Sequence, residues 1–512
     1  MRSHSLRIIP SAREISAYRG DSLILPVAEG RAPLRGIANV PDGALRGAMS
    51  RAIQQAAFRG KLSERFLLHL SGHLGVKHLL LTGLGKPSEV NLDRARKVAA
   101  EALRQLRDLK ARRIAIDCHE KSWPGLPAES LAQAITEGAL LGLYRFDIYK
   151  GKSDRPTVDE IESLTLLCGD RDAIRALKAG IGRGEVLARA TNLARDLVNE
   201  PANVLTPTAL ANRARAAARQ HGPAVEVLDR RAMQRLGMGA LLGVAQGSAN
   251  PPRLIILRHR GRRGRAAPAL GLVGKGVTFD AGGISIKQAE GMETMKGDMA
   301  GAAAVIAAMT GIATLRVPLD VVAVIPSVEN LPGATAQRPG DIVRAMDGTT
   351  IEVVNTDAEG RLILADAFCY ARRLGAQRLV DVATLTGGVV VALGSVRTGL
   401  FANDQALARQ VEAAGEASGE KLWQLPLDDE YEELIKSDYA DLKNTGGGKK
   451  APAIGAARFL KHFVGETSWV HLDINGTSLQ EKETGYLPKG ATGVMARTLI
   501  NLAMNLASAR RR

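Results

Sequence analysis

The sequence predicts an α/β protein with two domains: a smaller N-terminal α/β domain and a larger C-terminal α/β domain with a mixed sheet flanked by helices. A chain of 512 residues is too long for one ordinary hydrophobic core. Apolar residues make up 45% and charged residues 24% of the chain, as in soluble globular proteins. Short apolar runs alternate with longer segments of helical periodicity, which is typical of sheets covered by helices.

The first third of the chain shows this alternation clearly. Residues 22–27, 78–82 and 113–117 are short apolar runs that predict strands, and residues 92–111 have helical periodicity with charges on one side. We therefore predict an N-terminal α/β domain over residues 1–170. The residues of this segment show no catalytic pattern.

An Arg-rich helical segment follows and predicts a linking helix over residues 171–199. It contains Gly180, Gly182 and Gly184, and it ends before Pro201 because proline disfavours a continuing helix. The remaining residues, 200–512, are predicted to form the larger C-terminal domain. Its expected strands are residues 253–258, 270–273, 319–325, 351–355 and 378–383, and its main expected helices are residues 300–313 and 362–374.

The net charge is +16 and it is distributed unevenly. Residues 1–190 hold 31 Lys and Arg against 21 Asp and Glu, a net +10, and the remaining 38 against 32 give +6. Residues 258–265 (RHRGRRGR) and the tail 510–512 are further basic segments. Such an excess either marks a surface that binds a polyanion such as DNA or only keeps the protein soluble, and the sequence leaves both interpretations open.

Cysteine usage and the absence of targeting signals favour a cytoplasmic protein. Cys118, Cys168 and Cys369 show no paired spacing, so neither a disulfide framework nor a thiolate zinc site is predicted. No apolar stretch reaches the roughly 18–20 residues of a membrane span. The first residues lack the apolar core of a secretory signal. We expect no membrane association.

Acidic and basic side chains gather at a few places in the second domain. Lys275, Asp280 and Lys287 lie in VGKGVTFDAGGISIK after the strand 270–273, in what the glycines predict to be a loop. Asp298 lies where the helix 300–313 begins. The segment NTDAEGR follows the strand 351–355 and supplies Asp357, Glu359 and Arg361. Open α/β sheets bind ligands at the carboxyl ends of their strands, so we expect these groups to converge.

Each of these features has a purely structural explanation when taken alone. Asp298 could cap a helix, and Asp357 with Glu359 could form a solvated turn. Gly271, Gly274 and Gly276 loosely resemble a nucleotide-binding loop, but their order is wrong and no Gly-Lys-Ser/Thr follows. Together, however, four carboxylates beside apolar strands would repel each other unless cations neutralised them. Oxygen-rich ligation without His or Cys points to zinc, manganese or magnesium.

Several blocks resemble the leucyl aminopeptidase (cytosol aminopeptidase) family in its bacterial form. They are VGKGVTFDAGGISIK, MKGDMAGAA, NTDAEGRLILADA and ATLTGG, supported by LVNEPANVLTP, GVAQGSANPPRLI, ADLKN, HLDINGT and GATG. They occur in order from about residue 195 to about residue 500, roughly three-fifths of the chain. NTDAEGRL is the most specific of them. The resemblance implies a metallo-aminopeptidase, a hydrolase that removes single residues from the free amino end of peptides.

The resemblance also implies a role for each polar residue. Asp280 and Glu359 would bridge two divalent ions, manganese or zinc. Lys275 and Asp298 would complete one metal site, and Asp357 would complete the other. Lys275 would have to bind as a neutral amine, which an adjacent dication favours by lowering the pKa of the lysine.

The remaining implied roles concern catalysis and substrate. Lys287 would stabilise the developing oxyanion. Arg361 is too basic to accept a proton and would hold a bicarbonate ion that acts as general base. Met295, Thr384 and Gly387 would line an apolar pocket suited to leucine or methionine. The resemblance further implies a homohexamer acting on peptide substrates.

Three positions depart from the family pattern. Gly388 and Asn475 stand where alanine is usual, and Ala281 stands where serine is common. None is a predicted functional position, so the reaction is unaffected while the shape of the pocket stays open.

Two other functions compete with the peptidase interpretation. Another two-metal hydrolase, such as a phosphatase, would use similar carboxylates but would usually show several His ligands, and His is absent from these segments. A nucleic-acid-binding protein with a relic active site is the other alternative. DNA binding is also compatible with the enzyme as a second role.

Overall fold

The computed structural model describes residues 6–30, 47–55, 57–70, 73–151, 161–261, 269–446, 448 and 450–509. Two compact units are present. One comprises Met1–Arg189 with Lys482–Pro488, and the other comprises Ala190–Glu481 with Lys489–Arg512. The division falls inside the helix Ile174–Asn199. Residues 262–265 of the basic segment 258–265, and the basic tail 510–512, lie outside the described residues.

The first unit is built on a six-stranded sheet with the strand order β1-β6-β5-β2-β4-β3. All neighbouring strands are parallel except β3 and β4, which are antiparallel. The elements in chain order are β1 Arg7–Ser11, β2 Ser22–Ala28, α1 Ala48–Gln55, β3 Arg65–His69, β4 His78–Gly85, α2 Leu92–Asp108, β5 Arg113–Asp117, α3 Ala128–Gly142, β6 Ser163–Leu167 and α4 Ile174–Asn199, the last of which continues into the second unit.

The side chains of this sheet alternate between two hydrophobic cores, as the period of two in a strand requires. Ile24, Leu80 and Ile114 belong to the core that also contains residues of α2 and α3. Leu23 and Leu79, their neighbours along the strands, belong to a second core with Tyr18 and Phe58. The α/β architecture predicted for the N-terminal domain is therefore confirmed.

The second unit contains a nine-stranded mixed sheet. Its order is β16-β15-β18-β14-β9-β11-β8-β7, with β10 paired to β11. The elements are α5 Pro207–His221, β7 Ala224–Leu228, α6 Arg230–Arg235, α7 Gly239–Val244, β8 Arg253–His259, β9 Leu270–Gly274, β10 Gly276–Asp280, α8 Ala300–Thr314, β11 Val321–Asn330, β12 Ile342–Arg344, β13 Thr350–Glu352, α9 Gly360–Arg373, β14 Arg378–Ala383, α10 Gly387–Leu393, β15 Thr398–Ala402, α11 Gln405–Ser418, β16 Leu422–Gln424, β17 Leu442–Lys443, α12 Pro452–Val464, β18 Ser468–Asp473, β19 Leu479–Gln480, β20 Gly490–Ala491 and α13 Ala496–Ala509.

The centre of this sheet is parallel and is flanked on each side by an antiparallel pair, while the edge strand β16 pairs in parallel with β15. Strands β18, β14, β9, β11 and β10 pair in parallel. Strands β8 and β15 pair antiparallel with β11 and β18. Because the parallel strands all end on the same side, their carboxyl ends share one edge of the sheet, where ligands bind in folds of this kind. The predicted mixed sheet flanked by helices is confirmed.

One predicted strand has a different place in the fold. Residues 351–355 were expected to form a strand of the large sheet, but β13 covers only Thr350–Glu352 and lies in a separate three-stranded sheet with β12 and β17. Beyond Glu352 the backbone bonds to other partners: the N–H of Val353 donates to the Asp341 carbonyl and that of Val354 to the Asn444 side chain. The chain therefore leaves the small sheet before it reaches Asp357.

Helix α8 consists of apolar residues apart from two threonines, and all its residues except the last are buried. Together with the 3-10 turn Met292–Gly297, it forms a stretch, Met292–Thr314, that is long and apolar enough to cross a membrane by length and composition. The expectation that no such stretch exists was therefore wrong. Since 94% of an 18-residue part of this stretch is buried inside the protein, the stretch has the surroundings of a core helix, and α8 contacts β8, β9, β11 and β14.

Candidate metal centre

The polar residues singled out from the sequence meet at the carboxyl edge of the parallel strands. Lys275 follows β9, Asp280 is the last residue of β10, and Thr384 follows β14. Asp298 stands two residues before α8, and Glu359 occupies the N-terminal end of α9, where the helix dipole favours a carboxylate. Residues that are more than 100 positions apart are thus brought together by the sheet.

Lys275 joins two of these carboxylates. Its ammonium lies 2.9 Å from Asp298 Oδ2 and 2.8 Å from Glu359 Oε1. It also donates a hydrogen bond of 2.8 Å to the carbonyl of Thr384. Residue 360 must be small because a β-carbon there would lie 2.7 Å from Lys275 Nζ. The start of α9 therefore packs directly on this buried lysine.

A second group forms around Asp280. Its carboxylate and those of Asp357 and Glu359 each offer an oxygen, and these oxygens all lie within 4.8 Å of one another. The Lys287 ammonium lies 2.8 Å from Asp280 Oδ2 and also contacts the Asp357 carboxylate. Gly282, which has φ +87° and whose β-carbon would lie 2.9 Å from Asp357 Oδ1, lets the chain turn between them. Glu359 thus belongs to both groups.

The electrostatics of the site show an unbalanced negative charge. Four carboxylates (Asp280, Asp298, Asp357, Glu359) face two ammonium groups (Lys275, Lys287), which leaves a formal charge of −2. Burial raises the pKa of Asp298, Asp357 and Glu359, and repulsion from Asp280 raises all three further. Burial alone would lower the pKa of both lysines, but the surrounding carboxylates outweigh it and raise them. Additional cations would reduce the repulsion among these carboxylates.

The same carboxylates have unused binding capacity. Asp298 Oδ2, Asp357 Oδ1 and Glu359 Oε1 are buried and accept no hydrogen bond of good geometry within the described part of the chain, although each lies within ion-pair distance of a lysine ammonium. Buried oxygens of this kind normally bind a donor or a cation. The donor set of carboxylates plus one amine therefore fits divalent metal ions.

Arg361 lies beside this cluster in the first turn of α9. Its Nη1 donates 2.8 Å to the carbonyl of Asn444, while its buried Nε has no partner among the described residues. Burial lowers the pKa of Arg361 to about 10, although Glu359 and Asp473 favour the charged form. The side chain is therefore a cation at neutral pH whose Nε–H is left for a ligand.

Three further polar residues hold the loops of the site, and the sequence analysis did not single them out. Asn330, the last residue of β11, donates 2.8 Å to Asp280 Oδ1 and 3.0 Å to the carbonyl of Thr356. The Thr356 hydroxyl donates 2.6 Å to the carbonyl of Gly282. Asn444 accepts from the N–H groups of residues 354 and 355 and donates to the carbonyls of residues 355 and 358. The position of Asn330 at a strand end and of Asn444 within ADLKN were signals that could have identified two of them.

The predicted pocket residues lie around the same edge. The Thr384 hydroxyl donates 2.6 Å to Asp298 Oδ1, so this residue contacts the cluster directly. Gly387 begins α10 and is exposed, and a β-carbon there would meet no atom within 4 Å. Met295 is half-buried in the 3-10 turn that precedes Asp298. Open space beside Gly387 is what a substrate pocket requires.

One local expectation needs correction. Residues 276–280 were expected to form a Gly-rich loop, but they form strand β10, which pairs in parallel with β11, so Asp280 ends a strand. The alternative that Asp298 only caps a helix is not seen: its oxygens contact Thr384 and Lys275 instead. Glycines in residues 274–276 were misleading because they serve close packing: a β-carbon at Gly274 or Gly276 would lie 2.7 Å from a backbone oxygen.

Comparison with known proteins identifies the family. The family model described as the cytosol aminopeptidase family, catalytic domain, matches residues 192–500, and the corresponding N-terminal domain model matches residues 24–153. The chain belongs to the cytosol aminopeptidase family. A probable cytosol aminopeptidase of Solibacter usitatus is 48% identical over 98% of this chain and 99% of its own length. Another, from Alkaliphilus metalliredigens, is 45% identical over 96% and 98%.

Solved structures agree with this family assignment. A tomato leucine aminopeptidase mutant superposes with a TM-score of 0.87 at 35% identity, covering 98% of this chain and 96% of that one. The bottromycin maturation enzyme BotP in complex with Mn gives a TM-score of 0.84 at 35% identity, covering 95% and 100%. This cytosol aminopeptidase family member is therefore a metallo-aminopeptidase, as the sequence analysis predicted.

Proposed function

We propose that this enzyme uses two divalent ions per subunit and prefers peptides with leucine or another apolar residue at the amino end. The observation that carries this proposal is the meeting of four carboxylates and Lys275 around a buried site with a formal charge of −2. Once Lys275 has lost its proton to bind a metal, the formal charge becomes −3, which a single ion of charge +2 would leave partly uncompensated. A second ion, held by the other group of carboxylates, would offset the remainder.

The contacts suggest how the two ions would be shared. Glu359 belongs to both groups of side chains, and Asp280 lies between Lys287 and Glu359, so these two carboxylates are placed to bridge. Lys275 and Asp298 would complete one site and Asp357 the other. For Lys275 to bind a metal, its ammonium must lose a proton, which a dication in place of that proton favours.

The donor set also narrows the choice of metal. Carboxylate oxygens with one amine nitrogen fit manganese and zinc, and the related BotP was solved with Mn. When bound, such ions polarise the scissile carbonyl, lower the pKa of a water molecule and can hold the substrate's free α-amine.

Two cations of the chain itself would act on the reacting groups. We assign Lys287 to the developing oxyanion, because its ammonium stands at the edge of the carboxylate cluster on a partly exposed side chain. Arg361 would orient an anion that takes up the proton from water, since its unused Nε donor fits a planar oxyanion such as bicarbonate. Both roles keep a positive charge where negative charge develops.

Substrate preference is assigned to the space beside Met295, Thr384 and Gly387. Thr384 contacts the carboxylate cluster, and Gly387, three residues later, leaves open space where a side chain would otherwise stand. The side chain of the substrate's N-terminal residue would fit there. An apolar side chain such as leucine or methionine would be desolvated on binding, which favours these residues. Assembly as a homohexamer and residence in the cytoplasm stay predictions.

Metal removal tests the two-ion proposal. We expect a chelator to abolish hydrolysis of leucine 4-nitroanilide and Mn or Zn to restore it, with full activity only at two ions per chain. Turnover would be followed by absorbance, and metal content by mass spectrometry on the same samples. Full activity at one ion per chain, or turnover that survives the chelator, would contradict the proposal.

We also propose DNA binding without strong sequence preference as a second role. The second unit has a cavity of about 470 Å³ lined by Arg258, Arg260, Arg316 and two histidines, and none of the described residues that line it is acidic. Arg260 and Arg316 form no ion pair within the described part of the chain, whereas Arg258 contacts Glu226. This cavity adds to the net +10 of residues 1–190, and clustered positive charge favours a polyanion.

Salt dependence and charge reversal test this second role. Phosphate contacts release counterions, so log affinity should fall with log salt by about 0.9 per contact. We expect duplex DNA to bind at low salt, and Arg260→Glu with Arg316→Glu to weaken binding while peptidase activity is kept. Arg175→Glu with Lys178→Glu, on exposed positions of α4, tests the N-terminal charge in the same way. If unaltered protein binds no duplex even at low salt, the excess charge has no nucleic-acid role.

A further inference from the structure

The loop that follows β14 is held by side chains at the end of β18. We call residues 384–387 the pocket loop. The N–H of Leu385 and the hydroxyl of Thr386 donate to the two oxygens of Asp473, at 3.1 Å and 2.7 Å. The side-chain amide of Asn475 donates 2.9 Å to the carbonyl of Thr386. Three hydrogen bonds therefore join the pocket loop to residues 473–475, about 90 positions further along the chain.

The same loop contacts the metal centre and begins a helix. The carbonyl of Thr384 accepts from Lys275, and the hydroxyl of Thr384 donates to Asp298. The hydroxyl of Thr386 also accepts 3.1 Å from the N–H of Val389 and so caps α10. A shift of the pocket loop would therefore move the pocket wall relative to the metal centre.

Burying the carboxylate of Asp473 at this place is energetically unfavourable without hydrogen-bond partners. Its carboxylate is only 1% exposed, and burial raises its pKa, while the nearby His471 and the hydrogen bonds from the loop lower it. His471 is itself held by Asp381, at 2.7 Å. A buried charge is unfavourable unless it is fully hydrogen-bonded, so a loop displaced from Asp473 would leave that charge uncompensated. This cost opposes displacement of the loop.

Asn475 contacts the loop at a second point, the carbonyl of Thr386. It is half-buried, its own N–H donates 3.2 Å to Asp473, and its amide reaches the Thr386 carbonyl. Thr386 is thus fixed through both its hydroxyl and its carbonyl. Only one of these contacts depends on the side chain of residue 475.

We propose that Asp473 and Asn475 are positioning residues that set the shape of the side-chain pocket and so determine the preference for large over small N-terminal residues. The proposal rests on the proposed function, in which Thr384 and Gly387 line that pocket. A leucine side chain would fill the pocket and contact its wall, whereas the smaller alanine side chain would contact little of that wall. A loosened loop therefore penalises leucine substrates selectively.

The test compares two substrates in Asn475→Ala. We expect kcat/KM for leucine 4-nitroanilide to fall about two- to tenfold relative to alanine 4-nitroanilide, the loss typical of one hydrogen bond. The fall should lie mainly in KM because binding of the side chain, not the chemical step, is altered. Bound metal should be unchanged. Asn501→Ala is the matched control, since it removes an amide hydrogen bond to Ser418 elsewhere in the same unit, and it should leave the ratio unaltered.

A second variant guards against an indirect effect. Asp473→Asn keeps the shape of the side chain but places an amide opposite the Thr386 hydroxyl, and it should shift the ratio in the same direction. Equal losses with both substrates, or a ratio that both variants leave unchanged, would overturn the positioning role. A lack of leucine preference in the unaltered enzyme would instead contradict the proposed pocket.

Discussion

Replacing Asp280 or Glu359 with alanine is expected to abolish peptidase activity and lower bound metal together. Glu359 contacts Lys275, and its carboxylate and that of Asp280 offer oxygens within 4.8 Å of each other. Since both carboxylates would bridge the two ions, the loss of either one would leave two incomplete metal sites. Metal ions contribute several kcal/mol of transition-state stabilisation, and each 1.36 kcal/mol is tenfold in rate, so the loss should be on the order of 10³ or more. Leucine 4-nitroanilide turnover and metal content would be measured on the same preparations.

A buried carboxylate outside the cluster provides the control. Glu420 accepts hydrogen bonds from the Met495 and Thr498 N–H groups and from Arg497, away from the metal-centre residues. Glu420→Gln should keep both metal and turnover in the fraction that folds. Near-normal turnover with full metal content in Asp280→Ala or Glu359→Ala would contradict the bridging roles.

Replacing Lys287 or Arg361 with alanine is expected to slow turnover by about 10²–10³ without loss of metal, the usual effect of removing one electrostatic contact from a transition state. Lys287 places a positive charge beside Asp280 and Asp357, so its removal makes the cluster more negative and should, if anything, strengthen metal binding. Among the described residues, Arg361 donates a hydrogen bond to the backbone carbonyl of Asn444 and to no carboxylate oxygen, so its removal takes no partner from a metal ligand.

Controls and an added anion separate these roles from structural ones. Lys436 and Arg338 form exposed ion pairs in the same unit, and Lys436→Ala and Arg338→Ala should leave kcat unaltered. Bicarbonate should stimulate the unaltered enzyme but not Arg361→Ala. Metal loss that parallels activity in Lys287→Ala or Arg361→Ala would show that the two cations are structural, and a missing response to bicarbonate would count against the role of Arg361.

The two largest-effect predictions concern residues that the sequence already distinguished. The acidic residues in NTDAEGR and VTFDAGG lie in short local motifs, and their capacity to bind metal ions follows from residue type alone. The strands 113–117 and 378–383 were predicted with the bounds that the structure shows, because short apolar runs between turn residues suffice to define buried strands. The sequence was therefore informative wherever the signal is carried within about ten neighbouring residues.

The secondary structure of a glycine-rich segment was predicted incorrectly from the sequence. The glycines of residues 274–276 suggested a loop, yet the segment enters strand β10. Glycine has two uses, permitting unusual backbone angles and permitting close packing, and sequence alone does not distinguish them. Only the neighbouring backbone oxygens, 2.7 Å from the absent β-carbons of Gly274 and Gly276, show that packing is the reason.

The sequence by itself determined the family, the α/β class and the residue types of the metal centre, since these depend on composition and on short motifs. The tertiary structure decided which carboxylates share a lysine, that β13 stands outside the large sheet, and that Asn330, Asn444 and Asp473 hold the loops. Those contacts join segments 50 to 90 residues apart. Hydrogen bonds over such separations leave no periodicity in the chain, so they become visible only when the strands that carry them are paired.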